Sequence, residues 1–367
     1  MSESQSQDPK QKTALVRHDD AEAFVISLLQ AEGVRPDDAK VVAKALVQAD
    51  LRGVESHGIN RIPSYLARIR TGGIDPLAVP TVEMVTGCVA KVDGHNALGP
   101  LPSLLAVRTA ITLANQHGIG LVGVSHSNHF GMSAWLVREA LDAGYISLIF
   151  TNSSPALPPW GGRVPLLGVS PIAAGAPAGE KSGVPFLLDM APSVVARGKV
   201  HKAMRRGEQI PLGWGLDSKG RETTDPREVI NGGWMMPIAG YKGTGLAMMM
   251  DVFAGVFTGA AFAGDVTGPY DTSGKPGEVG HLVVVMKPDL FVSAEEFRRR
   301  MDVLYERVVG CEKAEGVDRI YFPGEIEQLT EERRIREGIP FVQDEIDALN
   351  REAERLGVEK IKVVENP

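Results

Sequence analysis

The chain has 367 residues, of which 43% are hydrophobic and 23% charged, with a formal net charge of -7. That length exceeds one simple core, so about two domains are expected, and the acidic balance without a Lys/Arg block speaks against a nucleic-acid surface. The two cysteines, Cys88 and Cys311, have no metal-ligand spacing, so neither a disulfide scaffold nor a zinc finger is expected and a reducing cytosol is the natural home.

Residues 1–14 read as a disordered tail, polar through position 12 and without the apolar run of a signal peptide. No later stretch approaches the ~20 apolar residues of a membrane span. A helix over 21–29, preceded by Asp19 and Asp20, ends at Gly33. Pro36 opens a second helix, with Val41, Val42, Ala45, Leu46 and Ala49 at helical spacing, that ends near Arg52 and Gly53. A third helix over 64–71 has Pro63 in its first turn and stops at Gly72 and Gly73. Between the last two helices lies a corner carrying Ser56, His57, Gly58 and Arg61. An imidazole there can give a proton to a carbonyl oxygen, a hydroxyl can orient it, and a guanidinium can grip a carboxylate by two hydrogen bonds. A plain helix corner is the competing reading. A hydrolytic nucleophile is not, because Ser56 lacks the strand–elbow–helix context.

After Pro80 the period changes to alternation over 81–85 and 88–92, a hairpin. A helix over 101–116, a short buried strand over 120–124, a loop over 125–131, a helix over 132–143 and a strand over 146–150 form a βαβ-like unit. Thr151 and Asn152 fall at that strand's carboxyl end, where α/β sheets bind ligands. The stretch 155–181 is rich in Pro, Gly and Ala and reads as irregular. A strand over 184–188 runs into Asp189, either a cap or an imidazole's partner. A basic helix over 199–205, a polar loop over 222–231, an apolar helix over 246–257 opened by Lys242-Gly243-Thr244-Gly245, and a strand over 281–286 follow. Then come an amphipathic helix over 294–309, a short strand over 318–322 and a last helix over 344–356. Gly243-Thr244-Gly245 fails as a dinucleotide fingerprint, since no strand precedes it and Met248 stands at the third glycine position. Lys242 and the exposed amides of that helix start can hold a phosphate, and residues 128–132 before a helix suit a pyrophosphate. His126 and His129 lie in a loop with no carboxylate or thiol near in sequence, so no metal site is expected.

Taken together, Arg52-Gly53-Val54-Glu55-Ser56-His57-Gly58 with Arg61 and Tyr65, Ser127-Asn128-His129-Phe130-Gly131, Thr151-Asn152, Leu188-Asp189-Met190-Ala191, Lys242-Gly243 and Pro323-Gly324-Glu325 occur in one order over roughly residues 15–345. In that set and order the chain resembles the malate/L-lactate/L-sulfolactate dehydrogenase family, with ureidoglycolate dehydrogenase, 2,3-diketogulonate reductase and Δ1-piperideine-2-carboxylate reductase. The resemblance implies an α/β fold in which a mixed-sheet, non-Rossmann dinucleotide-binding region over 79–293 joins a helical domain over 15–78, with 294–360 packing back on it. It implies a homodimer that transfers a hydride between NAD or NADP and C2 of a small 2-oxo acid, with a cyclic 2-imino acid as the alternative. A metal-dependent hydrolase or lyase built on His57, His126, His129 and Asp189 is a more remote reading of the residues themselves. By position, His57 is the implied proton donor, Ser56 and Asp189 its relay partners, and Arg61 the carboxylate clamp. Tyr65, Thr151 and Asn152 would line the substrate cleft. His129, Phe130, Gly131, Met132, Ser133, Lys242, Gly243, Pro323, Gly324 and Glu325 would contact the cofactor. Tyr241, Met132 and Trp135 depart from the residues often found in relatives.

Overall fold

The computed structural model describes residues 13–364. In chain order, β1 (Thr13–Val16), α1 (His18–Ala31) and α2 (Pro36–Leu51) lead to two 3-10 turns, Glu55–His57 and Ile59–Arg61, and to α3 (Ile62–Arg70). Next come β2 (Thr81–Thr86), β3 (Val89–Asp93), α4 (Pro100–His117), β4 (Ile119–Ser127), α5 (Ser133–Asp142), β5 (Ile146–Thr151), β6 (Ile172–Ala176) and β7 (Phe186–Met190). Then follow α6 (Arg197–Arg206), β8 (Gly215–Leu216), β9 (Glu222–Thr223), α7 (Pro226–Ile230), β10 (Trp234–Met235) and α8 (Tyr241–Asp251), which continues into a π-helical turn at Val252–Val256. The last elements are β11 (Val279–Met286), α9 (Ala294–Val309), α10 (Glu325–Glu337), β12 (Ile339–Val342) and α11 (Gln343–Leu356).

The main sheet is mixed, in the order β2-β3-β4-β11-β5-β6-β7. β4 and β5 run parallel to each other, yet β11 is inserted antiparallel between them. The expected βαβ unit is therefore present but split by a strand from far along the chain. β11 is buried along most of its length, which matches its nearly continuous aliphatic sequence. One core packs this sheet under α4 and α5, with Val122, Val124, Leu136, Val283 and Val285 fully buried. A second core joins α1, α2 and α3 to the chain's end: Leu28, Leu46, Ile62 and Leu66 meet Ile339, Phe341 and Leu349. β1 and β12 pair antiparallel and tie the two termini together. α9 is held to the 180–182 turn, whose amides donate to the Asp302 carboxylate. A small third core lies around α6, α7 and a sheet of order β10-β8-β9.

Several local expectations are corrected. Thr13 and Ala14 belong to β1, not to a tail, whereas 1–12 lie outside the described residues. The irregular stretch 155–181 contains β6, whose Ala/Gly sequence has little strand propensity but pairs on both edges. Its small side chains have a packing reason: a Cβ on Gly175 would lie 2.3 Å from Val137 of α5. β4 runs on to Ser127, through His126 at a φ of 53°, because β11 continues to pair with it. The polar loop 222–231 folds into β9 and α7, with Asp225 capping the amide of Arg227 at 2.9 Å. Residues 318–322 form no strand; the Phe322 amide is bound by Glu325 instead. Among the described residues no helix is long and apolar enough to cross a membrane.

Candidate active site

α2 ends in a left-handed Gly53 (φ 80°), and the chain then makes its two 3-10 turns around Gly58 before Pro63 starts α3. The underside of this corner is closed by Asp50, which is fully buried and accepts from the Ile59 amide at 2.8 Å. Burial pushes the Asp50 carboxyl well above its ordinary range. A Cβ on Gly58 would sit 1.8 Å from Asp50 Oδ1, so only glycine lets the turn close over the carboxyl. Arg334 of α10 donates to the Asp50 carbonyl and to Glu55. Arg52 donates to Glu331 at 3.0 Å and to the Gly324 carbonyl at 3.3 Å, and Arg138 of α5 meets the same Glu331 at 2.7 Å.

The upper side carries the reactive groups. Ser56 Oγ lies 2.8 Å from His57 Nδ1, so the serine fixes that edge of the ring. Arg61 Nε donates to the Ser56 carbonyl at 2.6 Å, and its Nη1 donates to the Tyr270 hydroxyl at 2.6 Å. The His57 ring stacks on His129 at 5.3 Å between centroids. His129 Nδ1 receives the Gly131 amide at 3.3 Å and faces the Tyr65 hydroxyl at 2.7 Å. An amide only donates, so Nδ1 carries the lone pair and the neutral ring holds its proton on Nε2. Burial first, and the Arg61 charge second, lower His57 to about 4. The same two causes, followed by His57 and His281, hold His129 well below its ordinary value. Burial raises Tyr65. Near neutral pH the site is thus two neutral imidazoles beside one guanidinium, a setting able to accept or return a single proton next to a bound anion.

Other expected site residues are placed elsewhere. Asp189 lies in β7, and its carboxylate accepts from the Ala134 amide at 2.8 Å, capping α5. The residue at the N-cap position of α5, Met132, offers no side-chain acceptor, and Asp189 supplies it. Burial raises this carboxyl to about 6 despite the helix amides. The same contact puts a carboxylate beside the amides at that helix start. Thr151 and Asn152 are buried, and bond to His281 and Gly280 and to the Ala261 carbonyl. Phe130 and Met132 are buried, and the Phe130 ring lies 4.7 Å from that of His281. Glu325 is 3% exposed and held by Arg319, Tyr305 and the Phe322 amide, while Gly324, at a φ of 91°, opens α10. Gly243 is forced by the close approach of Ile238, whose carbonyl a Cβ would meet at 2.2 Å. Lys242 is exposed at the start of α8, which has no side-chain cap.

Two residues escaped the sequence reading. His281 is 1% exposed and bridges Thr151 and Ser127 at 2.8 Å each; its signal was a histidine inside an otherwise aliphatic strand. Tyr270, the partner of Arg61, sits in a polar loop where only a lone aromatic marked it. Among the described residues, no three His, Cys, Asp or Glu side chains gather as metal ligands would.

The fold has dehydrogenases among its solved structural relatives. The profile of the malate/L-lactate dehydrogenases matches residues 16–350, and the chain belongs to that family. It is 37% identical over 354 residues to a malate dehydrogenase of Pyrococcus abyssi, covering 94% of this chain and 96% of the relative. It is 35% identical over 312 residues to ureidoglycolate dehydrogenase (NAD(+)) of Escherichia coli, covering 85% and 88% of the two chains. The solved structure of sulfolactate dehydrogenase from Methanocaldococcus jannaschii superposes with a TM-score of 0.88 at 32% identity, covering 96% of this chain and 100% of that one.

Proposed function

We propose that the chain is a cytosolic, homodimeric oxidoreductase that interconverts small 2-oxo acids and 2-hydroxy acids with NAD(H) or NADP(H). The observation that carries this reading is the corner itself: a serine-oriented neutral imidazole beside a guanidinium. Arg61 holds the substrate carboxylate. His57 takes the hydroxyl proton in oxidation and returns it to the carbonyl oxygen in reduction, through Nε2. Ser56 keeps the ring turned, and His129, itself held by Tyr65, walls it from behind.

The residues present fit a nicotinamide dinucleotide. The uncapped start of α8 with exposed Lys242 suits a phosphate, and Ser133 Oγ is a buried hydroxyl without a partner. The bound nicotinamide supplies or accepts the hydride at C2. An exposed apolar stripe of Met248, Val252, Val256 and Phe257 along α8 and its π-helical turn supports the homodimer, which light scattering checks. The test of function is a panel of 2-oxo acids and cyclic imines with NADH and with NADPH, followed by nicotinamide absorbance. Turnover of a 2-oxo acid is expected. Turnover of imines alone would replace this reading with the imine reductase, and no turnover of either would overturn both.

A further inference from the structure

Arg61 is engaged by groups of the chain itself. Its Nε is spent on the Ser56 carbonyl, which ties the guanidinium to the corner, and its Nη1 donates to the hydroxyl of Tyr270 at 2.6 Å. The Tyr270 ring also lies over the guanidinium, with Cζ 5.2 Å from its centroid. The tyrosine is nevertheless 71% exposed, so one face of it is in solvent while its tip touches the charge.

The backbone beneath Tyr270 is fixed. Gly268-Pro269-Tyr270-Asp271 is a turn closed by the Asp271 amide on the Gly268 carbonyl at 3.1 Å, with proline at its second position. Arg68, 2% exposed, donates through Nη1 to the carbonyls at both ends of that turn, Gly268 at 3.3 Å and Asp271 at 3.1 Å. Its Nη2 holds the Lys275 and Gly73 carbonyls, each at 2.8 Å. A buried cation thus nails the loop to α3, the same helix that Arg61 precedes. The loop is held, and the exposed side chain is the part left free to turn.

We propose that Tyr270 is a specificity-determining placeholder: its hydroxyl occupies, on Arg61, the position of a substrate carboxylate oxygen and gives way to that carboxylate by side-chain rotation. This rests on Arg61 being the carboxylate clamp. The exchange favours an anion, because a carboxylate makes a stronger bond to a guanidinium than a phenol does, whereas a neutral carbonyl compound would lose the phenol bond without replacing it. Tyr270 therefore sets a threshold that carboxylates cross and neutral ketones do not.

The test measures KM for the best 2-oxo acid, and Ki for oxalate as an unreactive anion, in the wild type, Tyr270→Phe, Arg61→Lys and the double variant. Tyr270→Phe keeps the ring and removes only the competing hydroxyl. Its KM and Ki are expected to fall roughly threefold to tenfold with kcat unchanged. The effect is expected to vanish in the Arg61→Lys background, as required if it acts through that guanidinium. A rise in KM and Ki would make the hydroxyl a substrate contact and overturn the proposal, and no change would overturn it as well. If Arg61→Lys alone leaves both constants unaltered, the clamp reading fails, a result distinct from failure of the placeholder.

Discussion

The two sides of the Ser56–Arg61 corner have opposite character. On the underside, Asp50, Arg52, Glu55 and Arg334 engage one another, Glu331 and backbone groups, and an added Cβ at Gly58 has no room. On the upper side, Ser56, His57 and Arg61 have few partners, and two of the contacts are with each other. A site that must hold a substrate has to leave hydrogen-bonding capacity unspent there and spend it underneath, where it fixes the geometry.

The largest effect is expected at Gly58. Gly58→Ala drives a methyl group into the Asp50 carboxyl, and a loss of roughly 3 kcal/mol of stability is expected, read by chemical denaturation. Only a loss well under about 1 kcal/mol would mean that the underside yields easily. The upper side is sharpened by pH. His57 is lowered to about 4, so in the free enzyme it is neutral above that pH and charged below it. Oxidation of a 2-hydroxy acid needs the neutral ring, so kcat/KM in that direction is expected to be flat at higher pH and to fall as pH drops through about 4. Reduction needs the protonated ring, so its kcat/KM should fall about tenfold per pH unit above the same value. A carboxylate on Arg61 removes the second cause of the shift, so the kcat profile should lie at higher pH than that of kcat/KM. Coincident profiles would count against Arg61 as the neighbour that matters.

Arg61→Lys comes next. It keeps the charge but loses the planar fork, and KM for carboxylate substrates is expected to rise about tenfold with a smaller change in kcat. The smallest effect belongs to Thr151→Val. Thr151 bonds to His281 in the interior, so about 1 kcal/mol of stability should be lost while KM stays constant. A raised KM would place Thr151 in the substrate cleft.

The corner was legible in sequence because it is local: a helix end, a glycine turn, a proline-marked helix start and three polar side chains all fall within the sixteen residues 50–65, and each signal is short-range. The long helices and β11 were legible for the same reason, through their periodicity. Asp189 was not. A carboxylate ending an apolar strand suits a cap as well as a relay, and which helix start lies beside it is decided by sheet order. The insertion of β11 between β4 and β5 was equally hidden, since a strand's neighbours are set by pairing across more than a hundred residues. α10 was missed because its sequence is polar nearly all round, and it is held by Arg52, Glu331 and Arg334 and not by an apolar stripe. Tyr270 lies in a loop, where no period exists to reveal that it meets Arg61.

The role proposed for His57 is to carry the proton. It is tested most directly by the turnover of His57→Ala with saturating NADH or NADPH and the best 2-oxo acid, alongside cofactor affinity measured by fluorescence titration. Loss of a general acid predicts a kcat lower by about 10²–10⁴-fold with cofactor affinity unchanged. Turnover within a few-fold of the wild type would contradict the assignment.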